Sequence, residues 1–270
     1  MSRVLVVGNI LKDVYLNLDA RTEKFETDAR GVRWLDLAFD ASKHCFFRRN
    51  SSFGGATISL EVLTKMGVET KIMGTNMYFK DGGLVYEEEA RDHRYILVFD
   101  EDICYFTASQ REQTKFFPPK DKVEIIYIDR SANLNESEIN AIKTYLKTRP
   151  NIKLVIHLRK TYWQEPLQRL LTRANLVFTE NFNFDLDEQK TVLISEKELK
   201  WGKEQECVLA KRINLTTHLS TYLIAGATIL GGKLLGRTKK ECLKLAKVNI
   251  ENSTLNATLS LKELEEIMAN

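Results

Sequence analysis

From residue 123 onward, short apolar runs alternate with amphipathic helical patterns, and this rhythm constrains the fold more than any other feature. The apolar runs cover residues 125–128, 154–156 and 176–178, and the helical patterns cover 135–147 and 163–171. Continuous apolar runs are typical of strands that are buried on both faces. Their alternation with helices predicts parallel strands joined by right-handed crossovers. The fold class predicted is therefore α/β, with a doubly wound, mostly parallel sheet flanked by helices.

The flanking segments extend this sheet and end in helices. Residues 4–7 form another continuous apolar run, which predicts the first strand, and the runs at 192–194 and 208–210 predict further strands. Gly67 is expected to end the helix that precedes it. The last two helices are predicted to begin at capping-box pairs, Thr238 with Glu241 and Ser260 with Glu263.

One part of the chain differs from this pattern. Residues 94–99 and 103–106 flank an acidic turn, which predicts an antiparallel hairpin. No Pro/Gly/Ser-rich linker divides the 270 residues. We therefore expect one domain, 1–270, that carries a small β excursion formed by about 13–40 and 90–117.

Charge and cysteine usage exclude several classes of protein. The 40 basic and 37 acidic residues are mixed along the chain, whereas nucleic-acid-binding proteins concentrate positive charge. The longest apolar run, 222–230, is far shorter than the ~20 residues of a membrane-spanning helix. Scattered cysteines without a Cys-x-x-Cys pair suit a reducing compartment. We expect a cytoplasmic protein that binds neither nucleic acid nor a membrane.

Several short motifs then occur in a recognisable order. They are the strand and turn of 4–13, Gly-Gly-Ala-Thr-Ile-Ser at 54–59, the strand and Arg…Trp stretch of 154–163, Phe-Thr-Glu-Asn at 178–181, and a helix over 222–236. In this order they resemble the ribokinase-like (PfkB) carbohydrate kinase family over almost the whole chain. The resemblance implies ATP-dependent phosphoryl transfer to a sugar hydroxyl, with ATP and Mg²⁺ as cofactors. It also implies that the β excursion is a lid over a small sugar or sugar-like ligand.

The sugar side of the implied site comprises Asp13, Gly54, Gly55 and Ser59. A carboxylate at Asp13 can accept hydrogen bonds from two adjacent hydroxyls; an exposed turn residue is the alternative. Gly54 and Gly55 permit close approach of the backbone to a ligand, although they also suit an ordinary turn before a helix. Ser59 stands where the family has Asn, a longer side chain.

The catalytic Gly-Ala-Gly-Asp turn of the family corresponds here to residues 216–221. Neither glycine is present, and no carboxylate occurs between Ile213 and Gly232. The Asp position falls on Ser220 or Thr221, which the resemblance also places near the phosphate. His218 is the only titratable side chain in the segment, so it is either a replacement base or a histidine at the start of a helix. Loss of a general base costs about 10²–10⁴ in rate.

The second departure lies on the nucleotide side. Asn181 matches the Asn of the family's Asn-x-x-Glu, but Phe184 occupies the Glu position and Asp185 follows one residue late. That Glu organises water around Mg²⁺ in the family, so the resemblance implies altered metal handling. No residue of the chain is predicted as a metal ligand.

Three functional hypotheses follow from these residues. The first is a diverged ATP-dependent carbohydrate kinase, and the second is a non-catalytic protein that binds a sugar or a nucleotide. The third is a scaffold that forms a homodimer through its lid strands. The absent carboxylate predicts little or no sugar-dependent ATP consumption.

Overall fold

The computed structural model describes residues 3–17, 25–27, 33–35, 48–74, 77–80, 83–86, 92–99, 102–107, 113–158, 165–180, 187–195, 197–208, 215–253 and 258–269. Its strands are β1 (Arg3–Gly8), β2 (Ile10–Asn17), β3 (Phe25–Thr27), β4 (Arg33–Leu35), β5 (Arg48–Gly55), β6 (Glu69–Gly74), β7 (Met77–Lys80), β8 (Gly83–Tyr86), β9 (Asp92–Phe99), β10 (Asp102–Thr107), β11 (Ile125–Ile128), β12 (Lys153–His157), β13 (Leu176–Thr179), β14 (Thr191–Ile194), β15 (Glu198–Trp201) and β16 (Glu204–Cys207). Its helices are α1 (Ala56–Lys65), α2 (Glu136–Thr148), α3 (Glu165–Leu171), α4 (Leu215–Leu234), α5 (Lys239–Asn252) and α6 (Leu261–Ala269).

The main sheet has eight strands in the order β16-β15-β14-β13-β12-β11-β1-β6. The strands from β14 to β6 are parallel, and β15 and β16 run antiparallel at one edge. The predicted α/β class and the parallel pairing of the predicted strands are therefore confirmed. Residues within each buried strand alternate between two cores: Val4 and Val6 face one, and Leu5 and Val7 face the other.

Helices cover both faces of this sheet. The core on one face contains side chains of α1, α4 and α5, and the core on the other contains side chains of α2 and α3. The crossover from β1 to β6 passes through α1, whereas those from β11 to β13 pass through α2 and α3. The chain therefore winds in opposite directions from the centre of the sheet, as in doubly wound folds.

The antiparallel edge of the sheet was not predicted. The strand expected at 208–210 overlaps the described part only at Val208, whose N–H donates to the Lys197 carbonyl at 2.9 Å, and its other two residues lie outside that part. The actual edge is the hairpin of β15 and β16, turned at Gly202 with a φ of 62°. Residues of β15 alternate between buried and partly exposed positions, and those of β16 between partly exposed and exposed positions, because one face of this edge is better covered than the other. A search for continuous apolar runs therefore misses it.

A second sheet has the order β10-β9-β2-β5. The predicted hairpin is confirmed, since β9 and β10 pair antiparallel. The segments predicted as a lid contribute β2, β9 and β10, and β5 joins them from outside those segments. A covering role for this sheet, a homodimer through it, and the single-domain boundary all stay predictions.

The predicted helix boundaries follow from their caps. Thr238 and Glu241 form a capping box at α5, and Ser260 and Glu263 exchange the same hydrogen bonds at α6. Gly67, with a φ of 80°, follows the end of α1. Within the described ranges, no helix combines the length and apolar character that a membrane span requires.

Candidate functional site

The candidate site lies at the carboxyl ends of β1 and β11. The sheet continues from β1 to β6 on one side and to β11 on the other, so the winding reverses between these strands. Ligands of open α/β sheets bind in the crevice at such a switch point. The residues that follow the two strands are polar: Asn9 after β1, and Asp129, Arg130 and Ser131 after β11.

A buried hydrogen-bond network joins these strand ends to α1. Asp129 accepts from the Ser131 N–H at 2.8 Å through one carboxylate oxygen and from the Ser59 hydroxyl through the other. The Asn9 N–H donates to the Ser131 hydroxyl at 3.1 Å. Burial raises the pKa of Asp129, although the hydrogen bonds from Ser131 and Ser59 oppose that shift. The network fixes the carboxylate in place beneath the edge of the sheet.

Two glycines make this close packing possible. A Cβ at Gly8 would lie 2.8 Å from the Ser131 hydroxyl oxygen and 2.9 Å from the Asp129 Cβ, so the end of β1 has no room for a side chain. Gly55 precedes α1 with a φ of 60° and a ψ of −139°, a conformation that favours glycine. The following Ala56 N–H donates to the Asn9 carbonyl at 2.9 Å. The glycine turn is thereby tied to the end of β1.

The sugar-side residues of the sequence prediction meet partly at this edge. Gly55 and Ser59 lie beside Asn9 and Asp129, and Gly54 lies in β5 opposite Leu11 of β2. Asp13 lies in β2 opposite Ser52, but its side chain falls outside the described part. Ser59 is fully buried and donates its hydroxyl to Asp129, so it contributes to the shape of the site through that carboxylate. The ligand-binding roles of these residues stay predictions.

A second buried polar cluster lies under α4. The Tyr127 hydroxyl and His157 Nδ1 are 3.1 Å apart, and Gly226 of α4 packs against both. Among the described residues, His157 Nε2 has no hydrogen-bond partner. Burial, and to a smaller degree the charge of Arg130, hold the pKa of His157 well below its usual value. Burial and the nearby Asp129 raise the pKa of Tyr127. Both side chains are therefore neutral near pH 7.

Arg130 connects three elements above the end of β12. Its Nε donates to a Glu180 carboxylate oxygen at 2.6 Å, and its guanidinium lies 4.5 Å from the centre of the Tyr222 ring of α4. Four of these residues were not predicted from the sequence as site residues: Asp129, Arg130, His157 and Glu180. Each lies at or just after the end of a buried strand, and that position was the available signal.

The segment aligned with the catalytic turn is helical. Helix α4 begins at Leu215, so residues 216–221 form its first turns. Thr221 is buried, whereas the side chains of His218 and Ser220 fall outside the described part. Asn181 also lies outside it. The roles predicted for His218, Ser220, Thr221 and Asn181 stay predictions.

The aligned segment lacks one part of the Mg²⁺–ATP site that the family resemblance implies. Such a site needs backbone N–H groups at the amino-terminal end of a helix and a carboxylate beside them. The first turn of α4 offers N–H groups that have no partner within the helix, but the position has no carboxylate. The residues immediately before α4, 209–214, lie outside the described part. In the parts of the chain that the structure describes, no three His, Cys, Asp or Glu side chains form a potential metal site.

The buried histidine gives the fold a pH dependence that can be measured. A depressed pKa in the folded state contributes stability above about pH 6.5 and loses it as the pH falls. The wild-type free energy of unfolding, relative to that of His157→Gln, should fall by about 1 kcal/mol from pH 6.5 to pH 5.5. Urea titrations of both proteins at each pH test this. Parallel losses of stability in the two proteins would show that His157 is not the titrating group.

Comparisons with known proteins identify the fold. No protein-family model and no curated protein matches the chain. Among the solved structures that match nearly all of it are the following three. The nucleoside kinase of Methanocaldococcus jannaschii, a ribokinase-family member, is 16% identical with a TM-score of 0.67, over 100% of this chain and 98% of that chain. The adenosine kinase of Sinorhizobium meliloti is 14% identical with a TM-score of 0.65, over 99% of each chain. The Arabidopsis thaliana ribokinase, in complex with ribose and ATP, is 12% identical with a TM-score of 0.63, over 100% of each chain.

These likenesses establish the class of the chain at the level of architecture. The chain has the ribokinase-like fold, which its sequence motifs predicted. The catalytic machinery of a kinase is a separate matter, because function depends on the residues of the site and not on the fold.

Proposed function

We propose that this protein binds a sugar or nucleoside at the carboxyl ends of β1 and β11 and transfers phosphate to it very slowly or not at all. One observation carries the proposal: residues 216–221 lie within α4, and no carboxylate occurs between Ile213 and Gly232. A hydroxyl at Ser220 or Thr221 does not replace the base, because its pKa is too high for proton abstraction near neutral pH.

The binding half of the proposal is supported by the edge of the sheet. Gly55 brings the backbone before α1 next to Asn9, and the buried Asp129 network holds this region rigid. The ribokinase and nucleoside kinases of the same fold act on or hold compounds of this class, ribose among them. Asp13, close along the chain from Asn9, supplies a carboxylate that can hold two adjacent hydroxyls.

The loss of catalysis and the retention of binding are compatible. Removing a base or an anion-binding turn affects the transition state more than the ground state. The protein is therefore a binder with a kinase-like fold. The alternative is a slow kinase that uses His218 as its base. It differs from a binding protein only in having a measurable rate of phosphoryl transfer.

A ligand panel tests the binding half. Isothermal titration calorimetry and thermal shift with ribose, fructose, adenosine and inosine should reveal saturable stabilisation by at least one compound, because ligand binding to the native state raises stability. Asp13→Ala should lower the affinity for that compound by about 10- to 100-fold, because charged hydrogen bonds to it are lost. The matched control is Asp121→Ala, which removes an exposed carboxylate paired with Lys71 before β11.

Two results would count against this assignment. Absence of stabilisation by every compound would contradict ligand binding of this class. Equal affinities for Asp13→Ala and Asp121→Ala would contradict the placement of the ligand beside β2.

A further inference from the structure

Arg130 is a cation that the proposed binding role leaves unexplained. Its side chain is 20% exposed, and its only described hydrogen bond joins Nε to Glu180. Among the described residues, the four Nη N–H donors have no hydrogen-bond partner. A guanidinium presents these donors as a planar fork that matches two oxygens of a phosphate.

The contacts of Arg130 fix its place on the molecule. The residue follows Asp129, whose carboxylate contacts Ser59 of α1. Its guanidinium lies over the Tyr222 ring. Tyr222 directly follows residues 216–221, the segment aligned with the family's phosphate-binding turn. Arg130 therefore lies between the predicted sugar side and the first turns of α4.

The surroundings of Arg130 orient its guanidinium for a ligand. The neighbouring His157 is neutral, Glu180 is ion-paired with Arg130, and the buried Asp129 carboxyl also interacts with its charge. Helix α4, which packs against the guanidinium through Tyr222, carries no acidic residue. The Tyr222 ring and Glu180 hold the guanidinium in one orientation, which lowers the entropy lost when a ligand binds.

We propose that Arg130 binds the phosphate of a phosphorylated sugar or nucleoside, at the α4 side of the site described above. The inference rests on the proposed function and makes its ligand class more specific. The phosphate monoester is bound as a ligand, and no bond is made or broken. Arg130 adds a guanidinium to the anion-binding role that the family resemblance assigns to residues 216–221.

Matched pairs of ligands test the proposal and show whether the bound phosphate belongs to a sugar phosphate or to a nucleotide. Ribose is compared with ribose 5-phosphate, and adenosine with AMP, by calorimetry at low and physiological salt. In the wild-type protein, at least one phosphorylated member should bind about 10- to 100-fold more tightly than its partner. This gain in affinity should be smaller at higher ionic strength. The pair that shows the gain identifies the ligand as a sugar phosphate or as a nucleotide.

Three variants assign that gain to the guanidinium. Arg130→Gln should abolish the difference in affinity between the two members of the pair. Arg130→Lys keeps the charge without the fork and should retain only part of the gain. Glu180→Gln removes the carboxylate that competes with the phosphate for Arg130, so it should increase the affinity for the phosphorylated compound severalfold. The control is Arg149→Gln, because Arg149 lies over the Tyr145 ring at the same 4.5 Å but at the end of α2.

The outcomes distinguish this inference from the proposed function. If ribose or adenosine binds and phosphorylation adds no affinity, the role of Arg130 is wrong and the proposed function stands. If no member of either pair binds, both are wrong. If Arg130→Gln does not fold, Arg130→Lys and Glu180→Gln still decide, since a purely structural ion pair would alter stability without separating the two ligands of a pair.

Discussion

Replacing Gly226 by alanine is expected to lower the free energy of unfolding by up to about 2 kcal/mol, because overpacking a core costs about 1–3 kcal/mol and alanine returns about 1 kcal/mol of helix propensity. The added Cβ would lie 2.9 Å from both His157 Nδ1 and the Tyr127 hydroxyl. Both rings are buried between β11, β12 and α4, so neither can move aside without breaking their hydrogen bond. Chemical denaturation of the wild-type protein and the variant measures the difference.

Gly231→Ala is a control in the same helix. Its Cβ would meet Met66 Sδ at 2.6 Å, but a methionine side chain can change rotamer to relieve the contact. Both substitutions gain the same helix propensity, about 1 kcal/mol. Gly231→Ala should therefore stay within about 1 kcal/mol of the wild type. Equal destabilisation by the two variants would contradict the close packing of α4 on the Tyr127–His157 pair.

The second large effect concerns turnover. Loss of the general base alone lowers the rate of phosphoryl transfer by about 10²–10⁴ relative to an ordinary kinase. The absent glycines add to this loss, because side chains at residues 216–221 narrow the space for a phosphate at the start of α4. A coupled ATP-consumption assay over the sugar and nucleoside panel should therefore give rates at least about a hundredfold below the roughly 1–100 per second typical of kinases.

The main sheet could be predicted from sequence because its strands are buried on both faces. Continuous apolar runs such as 125–128 leave few alternatives, and the helices between them impose parallel order. The hairpin of β15 and β16 could not be found in the same way. Its burial alternates, and its register depends on a turn at Gly202 that local apolar content does not indicate.

The site was predictable only in part. The Gly54-Gly55 motif was recognised from its position before α1, and the positive φ of Gly55 explains why glycine occurs there. The partners of Ser59 were missed, because Asp129 is 70 residues away and only the pairing of β1 with β11 brings it close. Arg130 and Glu180 were missed for a similar reason, since their contact spans the ends of β11 and β13.

The central claim is that the binding of a sugar or nucleoside persists without ordinary phosphoryl transfer. The most direct test is ³¹P NMR of the protein with ATP, Mg²⁺ and a saturating amount of the compound that binds best in the panel. We expect full occupancy of the site and product formation at least about a hundredfold slower than in ordinary kinases. Turnover at roughly 1–100 per second, abolished by His218→Ala and retained by Ser220→Ala, would contradict the account and make His218 the base.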